Sequence, residues 1–138
     1  MKNKIIVIGC GRLGSSIANE NSRKGDDVLV MDTDKSSFSR LDEQFSGIFT
    51  VGDCTSTEDL EEIGIENAGE VVITTGDDNI NLLVTYLCAK KYHVPHIFVR
   101  FDDPDKGFLV QGMPAKIIYP FQLSRSRYFT FKTGGREE

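Results

Sequence analysis

The chain has 138 residues, a formal net charge of −5, 39% hydrophobic and 27% charged residues, and no low-complexity tract; this is the size of one domain with one core and the composition of an ordinary globular protein. The acidic balance argues against general nucleic-acid binding, which needs a basic face; no apolar run approaches the ~18 residues that span a bilayer, and the N-terminus lacks a signal-peptide layout, so a cytoplasmic location without membrane insertion is expected. Cys10, Cys54 and Cys88 are odd in number and lack CxxC spacing, so they read as small core or turn residues of a reducing compartment.

The first predicted strand, Ile5-Ile6-Val7-Ile8, enters the turn Gly9-Cys10-Gly11-Arg12-Leu13-Gly14 and then a helix ending near Gly25, in which Leu13, Ile17, Ser15, Ser16 and Ala18 suit close packing on a sheet. A second strand, Val28-Leu29-Val30-Met31, closes on Asp32-Thr33-Asp34. Lys35 to Gln44 carries Phe38 and Leu41 at helical spacing with Gly47 as a stop, which predicts a helix. The third strand, Ile48-Phe49-Thr50-Val51, ends in Gly52-Asp53-Cys54; Thr57 to Ile63 reads as a helix capped by Thr57 and terminated by Gly64. Val71-Val72-Ile73-Thr74 is a fourth strand, followed by Thr75-Gly76-Asp77-Asp78, whose two acids favour the start of the next helix. That helix, Asn79 to Tyr92, is the most apolar, with Leu82, Leu83, Tyr86 and Leu87. Ile97-Phe98-Val99-Arg100 is a fifth strand, Pro104 to Gln111 a short helix with proline at its start, and Lys116 to Tyr119 a sixth strand ending at Pro120.

Strands of continuous β-branched residues alternating with helices mean an α/β protein whose parallel sheet is covered on both faces. Six strands in two βαβαβ halves imply a Rossmann-like doubly wound sheet of order 3-2-1-4-5-6, with ligands bound at its carboxyl edge. The glycine turn fits that edge: Gly9 permits the sharp turn, Gly11 admits a phosphate to the backbone, and Gly14 lets the helix approach the sheet. The free N–H groups of the first helical turn then face the phosphates. Asp32, 21 residues after Gly11, is placed to accept from ribose hydroxyls. With Thr33, Asp34 and no basic residue before Lys35, a 2′-phosphate would meet two carboxylates, so NADP is disfavoured. Arg12 is either a phosphate partner or a solvated helix arginine. Asp53 and Cys54 are placed to meet adenine, with a plain turn-forming Asp as the other reading. Thr75 and Gly76 reach toward a second ligand half, and Arg100, ending a buried strand, needs either a carboxylate or a ligand phosphate.

Other motifs carry less. Tyr86 and Lys90 have the Tyr-x-x-x-Lys spacing of short-chain dehydrogenases, but on an apolar helix and with a different glycine spacing, so Tyr86 reads as core. His93 and His96 have no third ligand at metal spacing, and no nucleophile elbow, Walker lysine or HExxH helix is present. No catalytic residue and no metal ligand is assigned.

Taken together, Val7-Ile8-Gly9-Cys10-Gly11-Arg12-Leu13-Gly14, Met31-Asp32-Thr33-Asp34, Val51-Gly52-Asp53-Cys54-Thr55 and Thr75-Gly76-Asp77-Asp78-Asn79 before Asn81-Leu82-Leu83 resemble the N-terminal RCK domain, also called KTN or TrkA-N, over Lys4 to Pro120. The resemblance implies a regulatory subunit of a Trk or Ktr potassium-uptake system rather than an enzyme, binding NAD(H) or ATP/ADP and gating a membrane-embedded transporter or channel subunit from the inner face of the cell membrane. It further implies residues 1–120 as the nucleotide-binding domain, residues 121–138 as a crossover helix and tail, and homodimers that assemble into a ring. By position, Gly9 to Gly14 with Arg12 would hold phosphates, Asp32 the ribose, Asp53 and Cys54 the adenine, and Thr75, Gly76 and Arg100 the distal ligand. The chain departs from the pattern at Cys54, where Ala is common, and at Phe121, where many relatives carry a Glu given a divalent-cation role. No second RCK lobe follows, so either the protein is complete in this short form or the sequence is a piece of a longer one. The apolar tail from Phe121 to Phe131 is expected to pack across a neighbouring subunit. Two other functions compete: the cofactor half of an NAD-dependent oxidoreductase, which would need a substrate pocket and an acid/base residue from elsewhere, and a nucleotide sensor for a non-potassium partner.

Overall fold

Every apolar run read as a strand enters one parallel sheet. The computed structural model of the chain describes residues 3–134. In it β1 (Lys4–Ile8), β2 (Asp27–Asp32), β3 (Ile48–Val51), β4 (Ala68–Ile73), β5 (His96–Arg100) and β6 (Ala115–Ile118) lie in the order β3-β2-β1-β4-β5-β6. All five pairings are parallel, so the expected doubly wound order is the observed one. Four α-helices accompany them among the described residues: α1 (Arg12–Arg23), α2 (Thr57–Glu62), α3 (Asp78–Tyr86) and α4 (Pro120–Lys132). The tail's last residues, 135–138, lie outside the described residues.

Side chains alternate across a strand, so each central strand feeds two cores. Ile6 and Ile8 of β1 pack with Leu60 of α2 and Val84 of α3 on one face, while Ile5 and Val7 pack with Ala18 of α1 and Phe38 on the other. Ile6, Val7 and Ile8 are buried on both faces, each contributing about 1.5–3 kcal/mol of apolar burial. β1 pairs with both β2 and β4, so the two halves of the sheet part at its carboxyl end, where the chain leaves toward opposite faces.

Several helical expectations change. Lys35 to Gln44 is not an α-helix: a 3-10 stretch spans Lys35–Arg40, capped by Asp34, and Leu41 turns back to extended backbone. Ser36, Ser37 and Ser39 bond their hydroxyls to local acceptors, the competition that makes serine a poor helix former. The second helix is capped by Ser56, not Thr57; Ser56 Oγ accepts from the Asp59 N–H. The apolar helix expected over Asn79 to Tyr92 starts one residue earlier and is α-helical only to Tyr86, then winds as a π-turn over Leu87–Lys91. The short helix expected from Pro104 is present as a 3-10 helix over Pro104–Val110. The sixth strand is shifted to Ala115–Ile118, because Tyr119 leaves the sheet to cap α4.

None of the residues of α4 is buried. Phe121, Leu123, Tyr128, Phe129 and Phe131 are all exposed, an apolar helix that the single chain leaves uncovered.

Candidate functional site

The glycine turn is built by contact between β1, α1 and the end of β4. Gly9 leaves β1 at φ +97°, and a Cβ there would lie 2.9 Å from the Thr74 carbonyl. A Cβ on Gly14 would overlap the Gly9 carbonyl oxygen, so α1 reaches its seat only because that position is bare. The Thr74 hydroxyl fixes the same carbonyl from below, donating to Ile8 O and Gly9 O at 3.1 Å each. Gly11 differs: a Cβ there meets no protein atom within 4 Å. Packing therefore does not demand glycine at that position; an approaching ligand would. Gly11 is also the N-cap of α1 and makes no side-chain cap, so the first N–H groups of the helix are left to an outside acceptor.

Asp32 sits at the end of β2 beside this turn. Its Oδ2 accepts from the Cys10 N–H at 2.7 Å and its Oδ1 from the Asp34 N–H at 2.8 Å. Two backbone amides thus fix the carboxylate, and each oxygen keeps a lone pair for a further donor. Asp34 turns away to cap the 3-10 stretch, accepting from Ser36 N–H and hydroxyl, which holds its carboxyl below the usual range. Asp53 follows β3 and accepts from the Thr55 hydroxyl and N–H, with the same effect on its carboxyl. Burial, and then the neighbouring Asp53 charge, push the Cys54 thiol up to about 11, so it is a neutral apolar wall at working pH.

A cleft of ≈ 340 Å³ runs along this edge. Gly9, Gly11, Asp32, Thr33, Asp53, Cys54, Thr75, Gly76 and Arg100 line it, with Ile8, Met31, Thr74 and Ile80 as its apolar and buried floor. Of the other residues singled out from sequence, Cys10 contributes its N–H to Asp32 while its buried thiol faces Ser37 O, Leu13 is half-buried, Gly14 serves packing, and Arg12 is exposed at the start of α1. Arg100 finds a carboxylate, Asp102, at 3.3 Å, while its side chain also lines the cleft. The Thr75 hydroxyl is turned inward to Asn81. Asp77 caps α3 through Asn79 N–H and Ile80 N–H, and Asp78 accepts from Asp102 N–H and Asp103 N–H. Tyr86 donates to Leu109 O and is half-exposed, not core, on a helix surface away from the cleft.

Two further residues belong here that the sequence reading did not assign. Arg40, which ends the 3-10 stretch begun at Asp34, brings its guanidinium to 3.4 Å from Cys10 O, the residue whose N–H holds Asp32. Asn81 is buried under the far rim; Asp78 and Asn79 are equally polar in the same turn, so nothing local in the sequence singles it out.

The sequence matches the TrkA-N domain family over residues 5–120. It is 33% identical over 112 residues to "Trk system potassium uptake protein TrkA" of Streptomyces coelicolor, covering 80% of this chain and 50% of that protein; the chain spans about half the length of the curated relatives it matches. Among solved structures, the TrkA-N domain of the inner membrane protein ybaL from Escherichia coli superposes with a TM-score of 0.81 at 15% identity, over 95% of this chain and 97% of that one. The GsuK channel bound to NAD superposes with a TM-score of 0.79 at 21% identity, over 94% of this chain and 23% of that one, and GsuK has also been solved bound to ADP. At these identities the structures establish a shared fold.

The two glycines of the turn separate packing from binding. Gly14→Ala is expected to lower unfolding free energy by about 1–3 kcal/mol through overpacking, and Gly11→Ala by about 1 kcal/mol or less, as at other N-caps. Urea denaturation of both variants checks this; equal losses would mean that Gly11 is also a packing glycine.

Proposed function

This chain belongs to the TrkA-N domain family, and from that membership we propose that it is the nucleotide-binding regulatory part of a potassium-uptake system, without turnover of its own. The cleft at the carboxyl edge of the sheet takes one adenine nucleotide, NAD(H) or ADP/ATP. The observation that carries this reading is the pairing of an open Gly11 with an Asp32 carboxylate already fixed by two amides. Phosphates meet the bare turn and the N-terminal N–H groups of α1, with Arg12 beside them; the adenosine ribose donates to Asp32; Asp53 and Cys54 face the base; and Gly76 and Arg100 meet the distal half. The Asp32 and Asp34 carboxylates disfavour a 2′-phosphate, while Arg40 on the same rim offsets part of their charge, so NADPH belongs among the ligands tested.

Relatives named as Trk and Ktr potassium-uptake proteins, and the RCK domain of the GsuK channel among the structural neighbours, support a membrane-embedded potassium transporter or channel subunit as the partner. No helix among the described residues is long and apolar enough to cross a membrane, consistent with a module docked to the inner face of the cell membrane through that partner. Regulation requires the nucleotide to prefer one state of the assembly, since equal affinity for both shifts nothing. The uncovered α4 supports a homodimer as the element that changes state, and we propose that such dimers assemble further into rings.

Sedimentation of the purified chain is expected to show a dimer or larger species that Phe129→Glu dissociates; a monomer at working concentration would remove the α4 interface. Titration of ligand-stripped protein with NADH, NAD, NADPH, ADP and ATP is expected to show one adenine ligand bound per chain, with a stability gain of about 2.7 kcal/mol at a hundredfold excess over Kd. Asp32→Ala should lose that ligand, whereas turnover of a substrate with hydride transfer would replace the regulator by an oxidoreductase.

A further inference from the structure

A second polar network lies beneath the far end of the cleft. Asn81, in the first turn of α3, is fully buried at 0% exposure. All its hydrogen-bonding capacity is engaged. Its Oδ1 accepts from the Thr75 N–H at 3.2 Å and from the Thr75 hydroxyl, and its Nδ2 donates to Thr75 O at 3.0 Å and to Arg100 O at 2.9 Å. Thr75 follows β4 and Arg100 ends β5, so one side chain ties two neighbouring strand ends to α3. Asp78 adds a parallel tie, its two carboxylate oxygens accepting from Asp102 N–H and Asp103 N–H just past β5.

The other end of the cleft is held by different bonds. Asp32 is fixed by Cys10 and Asp34, and the backbone at Asp53 donates to Asp59 Oδ2 at 2.8 Å. None of these contacts passes through Asn81. The two ends of the cleft are therefore positioned separately, one by β2 and β3 with their loops, the other by Asn81 and Asp78.

On the reading of this cleft as an adenine-nucleotide site with Asp32 at the adenosine ribose, we infer that Asn81 is a positioning residue for the distal half of the ligand. It sets the spacing between Thr75-Gly76 and Arg100 and so favours ligands that extend beyond the AMP unit. The chemistry is particular to asparagine. Leucine, of similar size, would leave two carbonyls and an N–H under the rim without the Asn81 amide, and aspartate would set a carboxylate against the Thr75 and Arg100 carbonyls. A loosened β4–β5 gap would misplace Gly76 and the Arg100 side chain while leaving the Asp32 end as it is.

Equilibrium titration of the whole chain with AMP and with NAD tests this. In Asn81→Ala, NAD is expected to weaken about tenfold, the equivalent of roughly one buried hydrogen-bonding contact, while AMP stays within about twofold of wild type. Thr75→Val, which removes the hydroxyl that donates to Asn81 Oδ1 and accepts from the Asp77 N–H but keeps the three backbone bonds of Asn81, should shift the ratio in the same direction by less, and serves if Asn81→Ala does not fold. Ile65→Val, a core change in the turn before β4, should leave the ratio of the two affinities at its wild-type value. Equal weakening of AMP and NAD, an unchanged ratio in both site variants, or a wild type that binds AMP but not NAD would overturn the role of Asn81. A wild type that binds neither ligand would remove the nucleotide reading itself, and the inference with it.

Discussion

The seat of α1 on the sheet depends on one close approach: the helix backbone at Gly14 lies against the Gly9 carbonyl, which the Thr74 hydroxyl holds from the other side. Any side chain at Gly14 would push the helix away from β1, and with it the N-terminal N–H groups that define the phosphate end of the cleft. The same contact ties the first half of the sheet to the second, since Thr74 follows β4 and Ile8 ends β1. Fold and site are therefore one construction here: the packing that closes the core also aims the turn.

The carboxylates at the sheet edge divide by what they bond. Asp34, Asp53, Asp77 and Asp103 accept from backbone two or three residues on, holding turns and helix starts in shape, and Asp78 is taken up by the Asp102 and Asp103 amides past β5. Asp32 is fixed equally firmly, but by amides from two different loops, and it lines the cleft with lone pairs to spare. That difference, rather than acidity, sets it apart from Asp53, which lines the same cleft but bonds within its own turn. Arg100 shows a similar division, one side toward Asp102 and the other toward the cleft.

Much of this was legible in the sequence, for identifiable reasons. Continuous β-branched runs bounded by glycine and aspartate admit only buried parallel strands, and the glycine turn with Asp32 at the end of the next strand places the ligand edge. The failures were of a different kind. Phe38 and Leu41, three residues apart, suit a 3-10 turn as well as an α-helix, and the serines between them tip the balance. The π-turn after Tyr86 changes the ladder without changing the apolar pattern. Ser56 and Thr57 are neighbours of equal capping chemistry, and only the geometry selects between them. Arg40 and Asn81 acquire their places through contacts with Cys10, Thr75 and Arg100, residues 30, 6 and 19 positions away, which no local pattern encodes.

The central claim is that the bare turn and the fixed Asp32 form the mouth of an adenine-nucleotide site. The most direct measurement is an amide nitrogen–proton correlation spectrum of the labelled chain titrated with ADP. Progressive shifts are expected at Gly11, Arg12 and the Cys10 and Asp34 amides that hold Asp32, with α4 and the β3 edge unmoved. Shifts confined to α4 or β3, or none at millimolar ADP, would contradict it.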